Sequence, residues 1–270
     1  MLWDTHMHSF FSGDSKAPME DMIRAAIAKK LRGICFTDHL DLDYPLPDGE
    51  DTNPFLLNLP EYAAQIAELR GRTPGHFPVL FGLELGLQPH LAAQHAQISS
   101  RYPFDFIIGS SHVVHGYDPY YPAFYEDRTE TECYLEYFES ILENIAAFDG
   151  FDVYGHIDYV VRYGPNRNAD YSYRKYSEVI DEILKLLIRK GKGIEINTGG
   201  FKYGLGHPNP TEEVIARYHE LGGEIITIGA DAHRPEHVAY DFGKVPQILR
   251  AAGFSYYTVF RERKPEFLKL

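Results

Sequence analysis

The sequence predicts an α/β protein built as a closed barrel of parallel strands, and three observations support this fold class. Short apolar runs alternate with longer stretches of helical periodicity along all 270 residues. The alternation contains no block of consecutive strands, such as an antiparallel sheet would require. Seven or eight strand–helix units in a chain of this length favour a closed barrel over an open sheet. We expect one domain spanning residues 1–270.

The predicted strands are the apolar runs, and the predicted helices are the segments with apolar residues at helical spacing between them. The strands are residues 2–8, 33–39, 78–86, 104–112, 151–156, 193–197, 224–231 and 254–260. The helices are residues 19–31, 60–70, 131–147, 173–190, 211–221 and 246–252. Long polar loops at 41–58 and 116–128, together with 164–171 and 201–210, are expected to form the rim of a site.

Composition limits the classes of function. A formal net charge of −13 argues against nonspecific binding to nucleic acid or to an anionic membrane, since both depend on Lys and Arg. Cys35 and Cys133 lie far apart in sequence, so no disulfide framework is implied and a reducing compartment fits best. We expect a cytoplasmic protein, because the chain shows no signal-peptide pattern and no apolar run approaches ~18 residues.

Histidines and carboxylates stand at the ends of six predicted strands. They are His6 and His8, Asp38 and His39, Glu84, His112, His156 and Asp158, and Asp231 and His233. In an extended strand, His6 and His8 point to the same face. The carboxyl ends of barrel strands meet at one mouth, so these side chains are expected to lie close together. Imidazole and carboxylate ligands without thiolates suit Zn, Mn, Fe or Co.

The number of candidate ligands indicates more than one metal ion. Eight of these residues are candidate ligands, in addition to Asp14 of the first loop, and they exceed the three or four protein ligands of one open site: His6, His8, His39, Glu84, His112, His156, Asp231 and His233. Two to three divalent ions are therefore expected, with Glu84 bridging. The other histidines lack a strand-end position, and we expect solvated or helix-surface positions for them: His76, His90, His95 and His219.

These residues resemble the motifs of the PHP (polymerase and histidinol phosphatase) superfamily, and the resemblance spans essentially the whole chain. It is carried by the set as a whole: His6-x-His8, Thr37-Asp38-His39, Glu84, His112, His156 and Asp231-x-His233. Segments 155–158, 195–200 and 229–233 further resemble the monofunctional histidinol-phosphatases of that superfamily. Arg162 and Pro208 lie in segments that are also similar to theirs.

The resemblance implies a distorted (β/α)7 TIM-like barrel with a trinuclear metal centre at the C-terminal ends of the strands. It assigns one metal to His6, His8, Glu84 and Asp231, and a second metal to Glu84, His112 and His156. The third would take His39, His233 and a residue of the first loop, where several members have histidine. Here Asp14 is the candidate, and its oxygen leaves open which ion the third site prefers.

The implied activity is metal-dependent hydrolysis of a small phosphomonoester, most like that of L-histidinol phosphate in histidine biosynthesis. A hydroxide bridging two metals is expected to attack phosphorus while the metals neutralise the phosphoryl oxygens. Asp231 is the expected general base, and His233 is expected to act as a ligand or proton carrier. Three basic residues are expected to bind phosphate: Arg162, Lys202 and His207. The run Arg261, Arg263 and Lys264 resembles an exposed tail without a role.

Three alternatives stay open. Another PHP phosphoesterase could act on a nucleotide, an oligonucleotide end or a phosphotyrosine, although the acidity of the chain disfavours nucleic acid. An amidohydrolase-like enzyme would share the barrel, but no lysine is placed to bridge metals. A catalytically silent PHP module serving as an interaction domain should have lost ligands, whereas this set appears complete.

Overall fold

A nearly closed parallel barrel forms the centre of the computed structural model, which describes residues 1–46, 52–73, 75, 77–169 and 171–270. The parallel strands are β1 (Trp3–Asp4), β2 (Gly33–Phe36), β3 (His39–Leu40), β4 (Val79–Gly86), β5 (Phe106–Ser110), β6 (Val153–Tyr154), β7 (Gly193–Asn197) and β8 (Ile226–Gly229). The helices are α1 (Met19–Ala28), α2 (Leu59–Arg72), α3 (Ala92–Arg101), α4 (Glu130–Ala147), α5 (Ser177–Arg189), α6 (Gly199–Lys202), α7 (Glu212–Glu220) and α8 (Val245–Ala251).

The strand order gives seven positions around the barrel. The sheet runs β1-β2-β4-β5-β6-β7-β8, and β3 also pairs with β4. Because Ile34 lies opposite Val79 and His39 opposite Glu84, β2 and β3 are one interrupted strand in a single register. The barrel closes between the segment after β1 and the end of β8, where backbone hydrogen bonds join residues 5–8 to residues 228–232. The predicted seven-stranded barrel is confirmed.

Burial explains why these segments form strands and helices. All eight residues of β4 are buried, as expected for a parallel strand covered on both faces. Helix α5 buries Ile180, Ile183, Leu184 and Leu187, the residues of one helical stripe. Helix α4 buries one stripe in the same way, including Tyr134, Phe138 and Ile141, and begins with a capping box between Thr129 and Glu132. The apolar sides of these helices and the strands together form the core.

Two helices were not predicted. Helix α3 has only one buried residue, His95, so its sequence shows no apolar stripe. The prediction that His95 is solvated is wrong, since its ring is fully buried against Phe148. Helix α6 is a four-residue turn directly after β7. His90 is exposed and His219 is half-buried, and His76 lies outside the described residues.

The predicted eighth strand belongs to an antiparallel hairpin rather than to the barrel. Strands β9 (Tyr256–Arg261) and β10 (Lys264–Lys269) pair antiparallel, so the expectation that the chain lacks an antiparallel element is wrong. The hairpin turn covers the amino-terminal end of the barrel. There Arg263 donates from Nε to Asp152 Oδ2 at 2.6 Å and from Nη2 to the Gly150 carbonyl at 2.6 Å. Arg263 is therefore not part of an exposed basic tail.

Cys35 and Cys133 are both buried free thiols. Within the described residues, the helices are too short or too polar for any of them to cross a membrane.

Candidate metal centre

The segment after β1 places two histidines at the mouth of the barrel. Backbone hydrogen bonds from His8 N to Ala232 O and from Asp231 N to His6 O, both 2.9 Å, tie this segment to the end of β8. Met7 points the other way and is buried in the core. His6 Nε2 and His8 Nε2 consequently lie 3.2 Å apart, in the same-face geometry that the His-x-His spacing predicts.

Glu84, on β4, lies at the centre of the site. Its Oε2 is 3.1 to 3.4 Å from ring nitrogens of three histidines, His6, His8 and His39. Its Oε1 is 2.9 Å from His156 Nε2 and 3.3 Å from His112 Nε2. Ser110 Oγ donates a hydrogen bond to the same Oε1 at 2.8 Å. One carboxylate thus reaches five imidazoles, which is the position that a bridging ligand requires.

Asp231 follows β8 and faces the other side of the two histidines. Its Oδ1 lies 3.4 Å from His8 Nε2 and 3.5 Å from His233 Nδ1. Its Oδ2 accepts a hydrogen bond from Arg162 Nη1 at 2.7 Å. The backbone of Asp231 has a φ of +53°, a left-handed conformation that aspartate tolerates better than most residues and that often marks functional sites.

Asp14 joins the site from the first loop. Its Oδ2 lies 2.9 Å from His233 Nε2 and 3.7 Å from His39 Nε2. The three residues that the resemblance places on a third metal are therefore neighbours. Ser15 Oγ, in the same loop, donates to the His233 carbonyl at 3.0 Å and holds the loop against the end of β8.

The ligand atoms converge in four overlapping groups, each small enough to hold a metal ion. The groups are His6, His8 and Asp231; His6, Glu84 and His156; His39, Glu84 and His112; and His8, His39 and His233. The first group contains three of the four residues expected for one metal and lacks Glu84. The other three groups combine the ligands differently from the sets expected for the second and third metals, because His39 lies beside Glu84 and His112 as well as beside His233.

Several of these buried atoms have no hydrogen-bond partner among the described residues. They are Glu84 Oε2, His39 Nδ1, His156 Nδ1 and His233 Nε2. Buried polar atoms are normally hydrogen-bonded, because leaving one unpaired costs roughly 1–3 kcal/mol. An oxygen of Glu84 and three histidine nitrogens in one site, all buried and without such a partner, fit a group of metal ligands. The donor set, nitrogen and oxygen only, fits Zn, Mn, Fe or Co.

Outer hydrogen bonds orient the imidazoles. Glu195 Oε1 lies 2.7 Å from His6 Nδ1, Asp41 Oδ1 lies 2.8 Å from His112 Nδ1, and Ser12 Oγ lies 3.0 Å from His8 Nδ1. Each bond leaves Nε2 facing the centre, as in many metal sites. Glycine is required at position 229, because a Cβ there would overlap both Glu195 and His6.

Sequence reasoning gave no role to Asp41, Ser12 or Glu195. Glu195 did leave a signal, since it is a charged residue in the middle of the otherwise apolar strand β7. Asp38, in the Thr37-Asp38-His39 motif, does not face the centre. Its carboxylate accepts hydrogen bonds from Ser9 N, Ser9 Oγ and Ser12 Oγ, and so fixes the first loop.

The electrostatics of the site keep the two central carboxylates ionised. Burial opposes ionisation of Glu84, but His6, His39 and His112 outweigh it and hold its pKa well below the usual value. Burial likewise opposes ionisation of Asp231, and Arg162 and His6 hold the pKa of that carboxyl well below its usual value. Ionised carboxylates are the form that binds metal.

The three basic residues expected to bind phosphate occupy different environments. Arg162 is buried, lines the cavity and bonds Asn209 Oδ1, Asn197 Oδ1 and Asp231 through three different nitrogens. Lys202 Nζ donates to the Asp231 carbonyl at 2.7 Å. His207 bonds the Pro208 carbonyl at 2.6 Å and Asn168 Oδ1 at 3.0 Å through its two ring nitrogens. Neither Lys202 nor His207 lines the cavity in the described structure.

The candidate metal ligands form one wall of a cavity of about 300 Å³, a volume suited to a small molecule. A second wall comes from the predicted rim loops and is mainly aromatic: Tyr44, Phe55, Tyr120, Tyr121 and Tyr203. Asp41 and Asp118, from two of these loops, add carboxylates to the cavity lining. The rim loops therefore do cover the site, although residues 47–51 and 170 lie outside the described part of the chain.

Comparisons with known proteins agree with this geometry. The PHP domain family model matches residues 4–199. A Lactococcus lactis protein named histidinol-phosphatase is 32% identical over 265 residues, which are 97% of this chain and 95% of that protein. A Clostridium acetobutylicum protein named probable histidinol-phosphatase is 34% identical over 245 residues, 90% of each chain.

A solved structure shows the same fold. It is histidinol phosphate phosphatase from Lactococcus lactis, complexed with zinc, L-histidinol and phosphate. It matches with a TM-score of 0.90 and 32% identity, covering 98% of this chain and 100% of that chain. The family model alone covers more than half of the sequence. The chain belongs to the PHP family.

Proposed function

We propose that this protein hydrolyses L-histidinol phosphate to L-histidinol and phosphate, using two to three divalent metal ions. The observation that carries the proposal is the Glu84-centred group of ligands with unpartnered buried atoms at the wall of a small-molecule cavity. The Lactococcus lactis relative, complexed with zinc, L-histidinol and phosphate, supports the choice of substrate.

The ions would be held by the nine residues identified from the sequence: His6, His8, Asp14, His39, Glu84, His112, His156, Asp231 and His233. When bound, divalent ions supply positive charge for the phosphoryl oxygens and make water acidic enough to ionise near neutral pH. Neutral imidazoles contribute no charge, so among these nine residues only Glu84, Asp231 and Asp14 would offset part of the charge of the ions.

Asp231 is proposed as the proton acceptor. Because Arg162 fixes its Oδ2, its Oδ1 is the oxygen left to face His8 and His233. His233 lies between Asp231 and Asp14, at the edge of the cavity, and is placed to carry a proton between them. Lys202 holds the Asp231 carbonyl and thereby the left-handed turn that aims this carboxylate.

Arg162 is the proposed phosphate-binding residue. A guanidinium has five N–H donors, and the described contacts use one on each of its three nitrogens. Two donors remain for phosphate oxygens in the cavity, where the ring of Tyr203 lies 4.8 Å from the guanidinium. Phosphate binding by Lys202 and His207 stays a prediction. Lys202 donates to the Asp231 carbonyl, His207 bonds the Pro208 carbonyl and Asn168, and neither residue lines the cavity in the described structure.

Phosphate release from a panel of phosphomonoesters, measured with metal-reconstituted protein, tests the proposal. The panel comprises L-histidinol phosphate, a nucleoside monophosphate, phosphotyrosine and a 3′-phosphorylated oligonucleotide. We expect the highest kcat/KM for L-histidinol phosphate and no turnover after chelation. A higher kcat/KM for any of the other three would replace the proposed substrate, and no phosphate release from the whole panel would refute phosphatase activity.

A further inference from the structure

The cavity that the candidate metal ligands line contains one buried carboxylate that the proposed chemistry does not use. Asp118 belongs to the loop between β5 and α4, and only 6% of the residue is exposed. It lines the same cavity as His112, His156 and Asp231. Burying a carboxylate is costly unless something compensates its charge, so its partners need to be identified.

Asp118 differs from the other carboxylates of the cavity. Four aspartates line it, and three lie beside a histidine or arginine: Asp14 beside His233, Asp41 beside His112, and Asp231 beside Arg162. Among the described residues, no Lys, Arg or His forms an ion pair with Asp118. Asp118 is therefore the one cavity-lining aspartate of the described residues that forms no ion pair.

The hydrogen bonds of Asp118 hold it in place but do not neutralise it. Tyr44 Oη donates to Oδ2 at 2.6 Å, and the Tyr120 N–H donates to Oδ1 at 2.7 Å. A carboxylate has about four acceptor positions, so roughly two stay available. Burial raises the pKa of Asp118 above the ordinary value of aspartate, and it outweighs the hydrogen bonds from Tyr44 and Tyr120 and the more distant charge of His112, which all lower this pKa.

We propose that Asp118 determines substrate specificity by binding the ammonium group of the phosphomonoester. The inference rests on the proposed function, because L-histidinol phosphate carries an amine on the carbon next to the phosphorylated one. With the phosphate at the metal wall, a cavity of about 300 Å³ leaves the amine inside the aromatic wall rather than in solvent. The aromatic faces of Tyr44, Tyr120 and Tyr121 also favour a cation there.

A pair of substrates that differ only in the amine tests this role. Wild-type protein and Asp118→Asn are assayed with L-histidinol phosphate and with 3-(imidazol-4-yl)propyl phosphate, which lacks the ammonium group. Asparagine preserves the size and an acceptor for the Tyr120 N–H but removes the charge. We expect the ratio of kcat/KM for the aminated over the deaminated phosphate to fall about 10- to 100-fold in the variant.

The matched control is Asp43→Asn, which removes the same charge from an exposed residue of the other rim loop. Its ratio should equal that of the wild type, and all three proteins should contain the same number of metal ions. An unchanged ratio in Asp118→Asn overturns the inference while the proposed function stands. The inference is also overturned if the wild-type protein hydrolyses the aminated and the deaminated phosphate with nearly equal kcat/KM. No hydrolysis of either phosphate by the wild type would refute the proposed function and, with it, the inference.

Discussion

Buried carboxylates lie at both ends of the barrel, but their hydrogen bonding differs. At the amino-terminal end, Asp105 and Asp152 directly precede β5 and β6. Asp105 accepts hydrogen bonds from Arg70 and from the Phe81 and Glu262 N–H groups. Asp152 Oδ2 accepts from the Ile107 N–H at 2.8 Å and from Arg263 Nε at 2.6 Å. Each has a cationic partner and backbone donors.

At the carboxyl-terminal end, Glu84 is surrounded by imidazoles, and its Oε2 has no hydrogen-bond donor in the described structure. Three histidine nitrogens nearby, on His39, His156 and His233, also lack partners. The same barrel can therefore satisfy a buried carboxylate, and does so at its other end. The difference between the two ends is therefore one of partners: an arginine and backbone N–H groups complete Asp105 and Asp152, whereas histidines surround Glu84.

The comparison predicts that substitutions at the mouth abolish chemistry and that substitutions at the other end reduce stability. The largest effect is expected for Glu84→Gln, which keeps the shape but removes the charge shared by five histidines. We expect kcat to fall about 10³-fold or more and metal content to drop. Phosphate release and elemental analysis measure both. If the variant bound the full number of metal ions and kept near-native turnover, Glu84 would not be the bridging ligand that hydrolysis requires.

Asp231→Asn should have the next largest effect. Asparagine can still accept from Arg162 but cannot take a proton and is a weaker metal ligand. We expect hydrolysis to fall at least ~10²-fold, the scale for losing acid–base assistance. Turnover is measured on protein whose metal content has been determined. Near-native activity with metals bound would show that another group accepts the proton.

A smaller loss of activity is expected for Arg162→Ala, because the guanidinium contacts Asp231 and, in our proposal, the phosphate. Losing a charge-assisted hydrogen bond should lower kcat/KM about 10- to 100-fold while metal content stays intact. Arg162→Lys should recover only part of the loss, since one ammonium cannot reproduce the planar fork. Kinetics within twofold of wild type for Arg162→Ala would count against this placement of phosphate.

Arg263→Ala should have the smallest effect on activity and should lower stability instead. The substitution removes the cationic partner of Asp152, a residue that is only 6% exposed. The unfolding free energy should fall by about 1–3 kcal/mol, with kcat/KM within twofold. Thermal unfolding is compared with the control Lys185→Ala, which breaks an exposed pair with Glu182 worth less than ~1 kcal/mol. Equal melting temperatures for the two variants, or a large loss of activity in Arg263→Ala, would contradict the assigned difference between the two ends.

The barrel and its ligands could be predicted because both are local in sequence. The parallel strands read as short, mainly apolar runs, and the candidate ligands other than Asp14 lie close to their carboxyl ends, as Glu84 near the end of β4 and His156 shortly after β6 show. The hairpin was missed because β9 reads as another buried strand, whereas β10 is charged, exposed and contains Pro265. Only the partner strand reveals that β9 pairs antiparallel.

The grouping of the ligands and the outer residues could not be predicted, because they depend on contacts distant in sequence. Whether His39 lies beside Glu84 or beside His233 depends on side-chain rotamers, and it lies near both. Asp41 acts on His112 across 71 residues, and Glu195 acts on His6 across 189. The role proposed for Asp118 could not be predicted either, because it depends on a comparison within the folded cavity. The other three cavity aspartates lie beside a histidine or an arginine, whereas Asp118 forms no such ion pair among the described residues.

A metal titration followed by phosphate release tests the central claim most directly, that the unpartnered atoms at the mouth are there to bind metal. Metal-free protein is titrated with Zn²⁺, and hydrolysis of L-histidinol phosphate and bound zinc are measured together. We predict that activity is absent at the start and saturates at two to three ions per chain, with the melting temperature rising in parallel. Full activity in the metal-free protein, or saturation at one ion or fewer, would contradict the account.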